Sequence, residues 1–245
     1  MTSRPPSVDI VIRSYHRDER WLALALRSVE LFVTGHRDVI VVIPRTSSTR
    51  MDVPAGVRLH ICPDADDDYL GQQLTKLHAD LLTDAALILH LDSDQVFTRR
   101  CDLRERLWEN GRPRMAFSSG DRRSPRDGWR RSPSEFFGRA VHHDLAVPLP
   151  LAVPRHVYAA VRDHSLRAHG VPIEEYARRA GPAAFSEAAL LRGHAYLFEP
   201  ERYAWQDTRD ADPFPECLTF WSRAETPASV AHRLPGPLAA LAARP

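Results

Sequence analysis

Hydrophobic residues gather into four runs of strand length in the first hundred positions of the chain. These runs occupy residues 8–12, 39–43, 57–61 and 86–92. Apolar side chains fill most positions of each run, which is typical of strands buried on both faces of a parallel sheet. The sequence therefore predicts four buried strands in this half of the protein.

Two segments between these runs have helical periodicity. Residues 19–33 and 70–82 repeat leucine or valine at spacings of three and four, which predicts one apolar face on each helix. In the second helix this face consists of Leu74, Leu77 and Leu81. Asp18 is the expected N-cap of the first helix, and Gly35 is its expected stop. Strands and helices in this order predict an α/β fold, a mostly parallel sheet flanked by helices.

The second half of the chain has a weaker pattern. Residues 112–133 are rich in Arg, Ser, Pro and Gly, which predicts a long mobile loop, either a binding lid or a surface insertion. Residues 155–168 and 173–180 are expected to be helices that begin after Pro154 and Pro172. We expect a single domain over residues 1–245, divided near residue 100 into two halves of different character.

Composition narrows the classes of protein. The 245 residues include 33 basic and 32 acidic side chains, for a net charge of +1, so no global field favours nucleic acid as a partner. Cys62, Cys101 and Cys217 are far apart, which argues against a disulfide framework or a zinc site. No apolar run approaches membrane-spanning length, and no transmembrane segment is expected. We expect a cytoplasmic protein.

The last apolar run ends in two carboxylates one residue apart, Asp92 and Asp94, with Ser93 between them. Because unpaired charges are costly inside a buried strand, this turn should emerge at the carboxyl end of the strand. In open α/β sheets that edge binds ligands. Two carboxylates and a hydroxyl there suit Mg²⁺ or Mn²⁺ together with a substrate diphosphate. Taken alone, such a pair is more often a solvated turn.

Four blocks of sequence carry a family resemblance. They are residues 8–29, 71–77 (GQQLTKL), 90–97 (HLDSDQVF) and 185–193 (FSEAALLRG). The first resembles the opening strand, turn and helix of GT-A-fold glycosyltransferases. The other three resemble a bacterial glycosyltransferase family in which the blocks read roughly QQ..KL, LDSD.VF and FSEY.L.G. The chain departs from that pattern at Ala188, where the family tends to carry an aromatic residue, and this leaves the acceptor pocket undefined.

The resemblance implies a GT-A-like domain with a nucleotide-sugar-binding half before about residue 100 and an acceptor-binding half after it. The turn with Ser14, Tyr15 and Arg17 would hold the nucleotide. Tyr15 has a flat face that can stack on a base, and Arg17 can reach a phosphate; the alternative for Tyr15 is a half-buried core aromatic. Of the acidic residues after Pro63, Asp68 is our choice for a hydrogen bond to the base or ribose.

The second helix adds two candidates for the nucleotide sugar. Gln73 and Lys76 lie on the face opposite the leucines and are expected to point over the sheet edge. Lys76 is the only lysine in the chain and would pair with phosphate as a point charge. The alternative for Lys76 is a solvated helix position. By the same resemblance Asp94 is the direct metal ligand, and Asp92 lies near the metal or the ribose.

Glu187 is the catalytic candidate, because the resembling family repeats Ser-Glu in that block. A general base acting on an acceptor hydroxyl contributes roughly 10²–10⁴-fold to a rate. We expect Ser186 to cap a short helix and Glu187 to lie in its first turn. The alternative is that Glu187 only favours the helix macrodipole.

A histidine from the second half often completes the metal site in the fold that the chain resembles. His142, His143, His194 and His232 are available. His232 is the first choice, because the tail that carries it can fold back over the site, and His194 is the second.

The expected function is metal-dependent transfer of a sugar from a nucleotide diphosphate donor, a UDP-sugar in the first place, to a small-molecule or glycan acceptor. One alternative is nucleotidyl transfer, which normally needs a Gly-rich loop after the first strand; residues 13–18 contain no glycine. The other alternative is a non-catalytic module that binds nucleotide sugars.

Overall fold

The protein is described by a computed structural model that covers residues 6–120 and 127–244. Its strands are β1 (Val8–Arg13), β2 (Val33–Thr34), β3 (Val39–Pro44), β4 (Arg58–Cys62), β5 (Leu87–Asp92), β6 (Gln95–Phe97), β7 (Cys101–Asp102), β8 (Trp108–Glu109), β9 (Arg112–Phe117), β10 (Leu151–Pro154), β11 (Ala204–Asp207) and β12 (Cys217–Thr219). Its α-helices are α1 (Glu19–Phe32), α2 (Arg45–Ser48), α3 (Asp68–Leu77), α4 (Leu103–Arg106), α5 (Asp127–Phe137), α6 (Arg155–His164), α7 (Ile173–Ala180), α8 (Glu187–Phe198), α9 (Pro227–Val230) and α10 (Gly236–Ala242).

The four predicted strands lie in one five-stranded sheet with the order β10-β5-β1-β3-β4. The pairs β1–β3, β1–β5 and β3–β4 are parallel, and only β10 runs antiparallel to its neighbour β5. The register places Arg13 beside Asp92, so the ends of β1 and β5 lie at the same edge. Smaller sheets join β11-β9-β8, β12-β6 and β2-β7.

Helices cover both faces of the central sheet. One face, which includes Val11 and Ile88, packs against α3, α5, α6, α7 and α8. The opposite face, which includes Ile10 and Leu89, packs against α1. The outer side of α1 is covered in turn by α9 and α10. The prediction of an α/β fold with a mostly parallel sheet flanked by helices is confirmed.

The third apolar run is a strand, but the prediction that it is buried was wrong. Strand β4 is at the end of the sheet, and Leu59 and Ile61 on it are each 48% exposed. Apolar composition alone does not distinguish an edge strand from a central one, because that difference depends on which strands lie beside it.

The second helix ends earlier than predicted. Helix α3 stops at Leu77, and a 3-10 turn, Ala79–Leu81, follows it. With about three residues per turn in place of 3.6, the 3-10 geometry breaks the spacing that put Leu81 on the apolar face. Leu81 is accordingly 67% exposed.

The predicted loop over residues 112–133 was also wrong where the structure describes it. Strand β9 occupies Arg112–Phe117, and helix α5 begins at Asp127. Strand β9 pairs in parallel with β11, about ninety positions further along the chain, and α5 packs on α8. Both elements are therefore stabilised by distant partners that composition does not reveal. The part of the predicted loop at residues 121–126 lies outside the described residues.

Other predicted elements agree more closely. Helix α7 has the predicted bounds, and α6 begins at Arg155 as expected and continues as one π-helical turn, Ser165–His169. The prediction that Gly35 stops α1 was wrong, because the helix ends at Phe32 with Val33 as its C-cap and β2 lies between the helix and Gly35. Gly35 instead has φ +88° after β2, a conformation that favours glycine. No helix in the described part of the chain is long and apolar enough to cross a membrane.

Candidate functional site

A cavity of about 740 Å³ opens at the carboxyl edge of the parallel sheet. Its wall contains residues that follow β1, β3, β4 and β5, together with parts of α3, α5 and α8 and of the segments 146–149 and 219–223. Most of the predicted site residues line it: Tyr15, Arg17, Asp68, Gln73, Lys76, Asp92, Ser93, Asp94 and Glu187. The two halves of the chain thus both contribute to one cavity.

The Asp92–Asp94 turn is held in place by residues distant in sequence. Gln95 accepts a hydrogen bond from the Asp92 amide at 3.0 Å and donates to Thr219 Oγ1 at 3.0 Å and to the carbonyl of Leu149. The amide of Ser222 donates to Asp94 Oδ2 at 3.2 Å. Gln95 therefore ties the backbone at Asp92 to residues 149 and 219, and the Ser222 amide orients the carboxylate of Asp94.

Lys76 connects the two carboxylate sites. Its ammonium lies 2.6 Å from Asp92 Oδ1 and 3.3 Å from Glu187 Oε1. Burial by itself lowers the pKa of Lys76, but the charges of Asp92 and Glu187 outweigh that effect, and the net pKa is raised. Lys76 is therefore a buried cation shared by two acids, and the alternative of a solvated helix position is wrong.

One face of α3 forms a wall of the cavity. Four residues of this face are spaced at i, i+3, i+4 and i+7, which places them on one side of the helix. They are Tyr69, Gln72, Gln73 and Lys76. Gln72 Nε2 donates to Asp92 Oδ1 at 3.0 Å, beside the Lys76 contact. The sequence analysis missed Gln72, although its spacing of four from Lys76 places it on the same face.

Helix α8 presents Glu187 from its first turn. Ser186 caps the helix as predicted, because its hydroxyl accepts from the amide of Ala189 at 3.2 Å. The side chain of Glu187 is 11% exposed and lies at the cavity wall beside Lys76. Its placement against a buried cation is more specific than a macrodipole effect requires.

Arg192, one turn further along α8, is the largest fully buried side chain of the described residues and was not predicted. Its guanidinium donates to the carbonyls of Leu145 at 3.0 Å, Val147 at 2.6 Å and Pro148 at 3.2 Å. Burial lowers the pKa of Arg192 to about 10. Arg192 thereby ties the cavity wall at residues 146–149 to the helix that carries Glu187. Its partners lie more than forty positions away, so no local signal identifies it.

Asp18, which the sequence analysis assigned as the N-cap of the first helix, has a different role in the structure. It occupies the N-cap position of α1 without making a capping hydrogen bond. Its carboxylate lines the cavity and accepts from Ser93 Oγ at 3.3 Å. Burial, above all, raises the pKa of Asp18, and the neighbouring charges of Asp92 and Asp68 act in the same direction. Asp18 therefore belongs to the cavity and not to the helix cap.

Asp94, with the charges of Asp92 and Asp18 near it, could hold a divalent cation that takes its remaining ligands from a bound molecule. Burial, followed by the charge of Asp92, raises the pKa of Asp94 to about 6. In the described residues no group of three or more His, Cys, Asp and Glu side chains is arranged to hold a metal by itself. Mg²⁺ commonly binds one or two carboxylates and takes its other ligands from water and phosphate.

Neither predicted histidine ligand lines the cavity. His194 is buried in α8, where its ring packs against Phe137 and Phe198. His232 lies exposed in the 3-10 turn Ala231–Arg233. The tail packs its apolar side chains on α1, and that packing sets the position of His232. Both predictions of a third ligand were wrong.

Ser14 also does not line the cavity. It is 2% exposed, and its hydroxyl has no hydrogen-bond partner. The neighbouring Arg13 is equally buried and pairs with Asp68 Oδ1 at 2.9 Å. Asp68 is half-exposed at the cavity wall, so Arg13 fixes a carboxylate that remains accessible.

Aromatic side chains line another part of the same cavity, and the sequence analysis did not predict them. Tyr69 and Trp129 stack with ring centroids 6.0 Å apart and ring planes 18° apart. The guanidinium of Arg223 lies 5.9 Å from the centre of the Tyr69 ring, and Trp221 adds an exposed ring. Flat apolar faces of this kind bind the rings of bases and sugars.

Comparisons of this chain with protein families and with curated proteins find no match.

Proposed function

We propose that this protein is a GT-A-like glycosyltransferase that moves a sugar from a nucleotide diphosphate donor, expected to be a UDP-sugar, to a small-molecule or glycan acceptor. One observation carries the proposal. Asp92, Lys76 and Glu187 form a continuous chain of contacts at the carboxyl edge of a parallel sheet, beside a cavity large enough for a nucleotide sugar. The resemblance of the sequence blocks to that family supports the same conclusion.

The charge of the cavity supports a metal-dependent reaction. Among the described residues that line it, six are acidic (Asp18, Asp64, Asp68, Asp92, Asp94 and Glu187) and three are Arg or Lys (Arg17, Lys76 and Arg223). A bare diphosphate would be repelled by this excess of carboxylates. Mn²⁺ or Mg²⁺ bound at Asp94, with Asp92 or Asp18 beside it, would offset the negative charge of the diphosphate as a Lewis acid.

The chain's own residues would divide the remaining work. Glu187 would accept the proton of an acceptor hydroxyl while that oxygen bonds to the sugar carbon and the bond from this carbon to the diphosphate oxygen breaks. Lys76 would hold Glu187 and Asp92 at a fixed separation. Tyr15 in the turn after β1 and Asp68 at the start of α3 would bind the base and ribose.

Nucleotidyl transfer is less well supported. The turn between β1 and α1 has no glycine in residues 13–18, and the buried Arg13 and the 3-10 turn His16–Asp18 occupy the place of a phosphate-cradling loop. A non-catalytic binding module would need the same nucleotide contacts but no residue in the role of Glu187. Turnover of a nucleotide sugar therefore distinguishes a glycosyltransferase from a non-catalytic binding module.

The test is release of UDP from a panel of UDP-sugars in the presence of Mn²⁺, with water or added glycosides as acceptors. We expect the wild-type protein to release UDP from at least one donor. Glu187→Gln should slow that release by roughly 10²–10⁴-fold, because the variant cannot accept a proton. Glu201→Gln is the matched control, since Glu201 is exposed outside the cavity. Equal rates for wild type and Glu187→Gln would contradict the assignment of the base, and binding without any turnover would favour the module.

A further inference from the structure

Gln73 is a buried amide without a hydrogen-bond partner. The residue is 2% exposed, and neither Oε1 nor Nε2 has a partner. A buried polar group left unpaired destabilises the folded protein, so such groups are uncommon and call for a specific explanation. Gln73 forms part of the cavity wall, although both polar atoms of its amide are buried, so a ligand would meet them once the amide turns toward the cavity.

The neighbours of Gln73 on α3 are all engaged. Gln72 and Lys76 both donate to Asp92, and Lys76 also contacts Glu187. Turning the amide of Gln73 toward the cavity breaks no hydrogen bond, whereas turning Gln72 breaks its bond to Asp92. Of the two glutamines on this face, Gln73 is therefore the one that can turn toward a ligand without losing a hydrogen bond.

The surroundings of Gln73 define the kind of ligand. Tyr69, one turn before it, stacks on Trp129 and supplies a flat apolar face. Lys76, nearly one turn after it, marks the position of Asp92 and Glu187. An amide offers a donor and an acceptor side by side, which matches two neighbouring hydroxyl groups on a ring. A ring that stacks on an aromatic face and presents two hydroxyls next to the reacting centre has the chemistry of a sugar.

We propose that Gln73 and the Tyr69–Trp129 pair form a subsite for a hydroxyl-bearing sugar ring next to Glu187. The inference rests on the proposed function and makes it more specific. The ring is either the transferred sugar of the donor or the sugar of a glycan acceptor, and both present the same hydroxyl chemistry.

The experiment compares wild type with Gln73→Leu, which keeps the approximate volume and removes the amide. Gln73→Met is the second variant, with a flexible chain of equal length. Neither should unfold at a lower temperature than wild type, because each removes an unpaired buried amide. Gln206→Leu is the control, since Gln206 lies outside the cavity and bonds to the carbonyl of Ala211.

In the first arm, calorimetry measures the affinity of each protein for UDP and for UDP-glucose, UDP-galactose and UDP-N-acetylglucosamine, all with Mn²⁺. In the second arm, methyl glucoside and methyl galactoside are titrated into the protein saturated with UDP and Mn²⁺. Loss of two neutral hydrogen bonds predicts about a tenfold fall in sugar affinity relative to UDP affinity. A fall in the first arm assigns the subsite to the transferred sugar, and a fall confined to the second assigns it to an acceptor sugar.

If both Gln73 variants keep the wild-type ratio of sugar affinity to UDP affinity in both arms, the subsite is contradicted and the proposed function stands. A lower unfolding temperature of both variants without ligand would assign Gln73 a structural role and contradict the subsite as well. Wild-type protein that binds neither UDP nor any UDP-sugar would contradict the proposed function, and the subsite with it.

Discussion

His194 shows how the same residue type can serve packing and not metal binding. Burial lowers the pKa of His194. Of its charged neighbours, Glu199 opposes this effect, whereas His156, His164 and Arg167 reinforce it. The folded protein thus holds the neutral imidazole in α8, and the unfolded chain takes up a proton more readily. This residue should make the protein sensitive to acid.

The pKa of His194 is lower in the folded protein than its ordinary value of 6.5. As the pH falls below 6.5, the unfolded chain therefore binds a proton that the folded protein does not, and the free energy of unfolding decreases. We expect His194→Leu to lose less unfolding free energy than wild type between pH 7.5 and pH 5. Urea denaturation at both pH values measures the difference. The control is His142→Leu, which removes an exposed histidine and should follow the wild type. Equal losses for His194→Leu and wild type would contradict the assignment.

At the residue scale, the sequence predicted the site where chemistry and spacing are local. Asp92 and Asp94 follow an apolar run directly, and Lys76 and Gln73 share a helix face. Asp18 was assigned to a cap because its position fits one, and its contact with Ser93 spans 75 positions. Arg192 was missed for the same reason, since its carbonyl partners are held by the fold and not by the sequence around it.

At the scale of elements, the packing of α5 on α8 positions both the aromatic side chains of the cavity and Glu187. Gly193 lies at this contact, and a Cβ added there would meet Pro133 Cβ at 2.8 Å and Phe137 Cε2 at 3.0 Å. Neither neighbour can yield easily, because Pro133 is rigid and Phe137 is buried. Gly193, the last residue of the fourth resembling block, therefore permits the close approach of two helices.

Gly193→Ala should lower the unfolding free energy by about 1–3 kcal/mol, since overpacking forces the two helices apart. Thermal or urea denaturation checks this value. Gly236→Ala in α10 is the matched control: its Cβ would meet nothing within 4 Å, and alanine favours a helix, so no loss is expected. A Gly193→Ala protein as stable as wild type would show that α5 and α8 have room to adjust.

The elements that sequence patterns predicted well are those with a continuous apolar run or a strong helical periodicity, even where the partner is distant, as in the β1–β5 pair. Strands β1, β3 and β5 and helices α1 and α7 have strong periodicity and agree with the structure. Strand β9 and helix α5 were taken for a loop because Arg, Ser, Pro and Gly dominate their composition. Each is stabilised by a partner far along the chain, β11 or α8, and hydrophobic periodicity carries no information about such partners.

At the scale of the whole molecule, the cavity exists only because the two halves of the chain meet. The first half supplies Asp92, Asp94 and Lys76, and the second supplies Glu187 and the Ser222 amide that fixes Asp94. The core on one face of the sheet likewise contains residues from both halves. The two halves that meet near residue 100 therefore differ in sequence pattern, but the cavity is built from residues of both halves.

If Asp94 binds a metal together with a nucleotide diphosphate, UDP and Mn²⁺ together should raise the melting temperature of the protein. A ligand at a hundredfold excess over its Kd stabilises the folded state by about 2.7 kcal/mol, which for a chain of this size raises the melting temperature by about 5–10 °C. We expect this shift for wild type only when UDP and Mn²⁺ are both present. Asp94→Asn should abolish it, and Asp210→Asn, outside the cavity, should retain it. A full shift in Asp94→Asn, or none in wild type, would contradict the account.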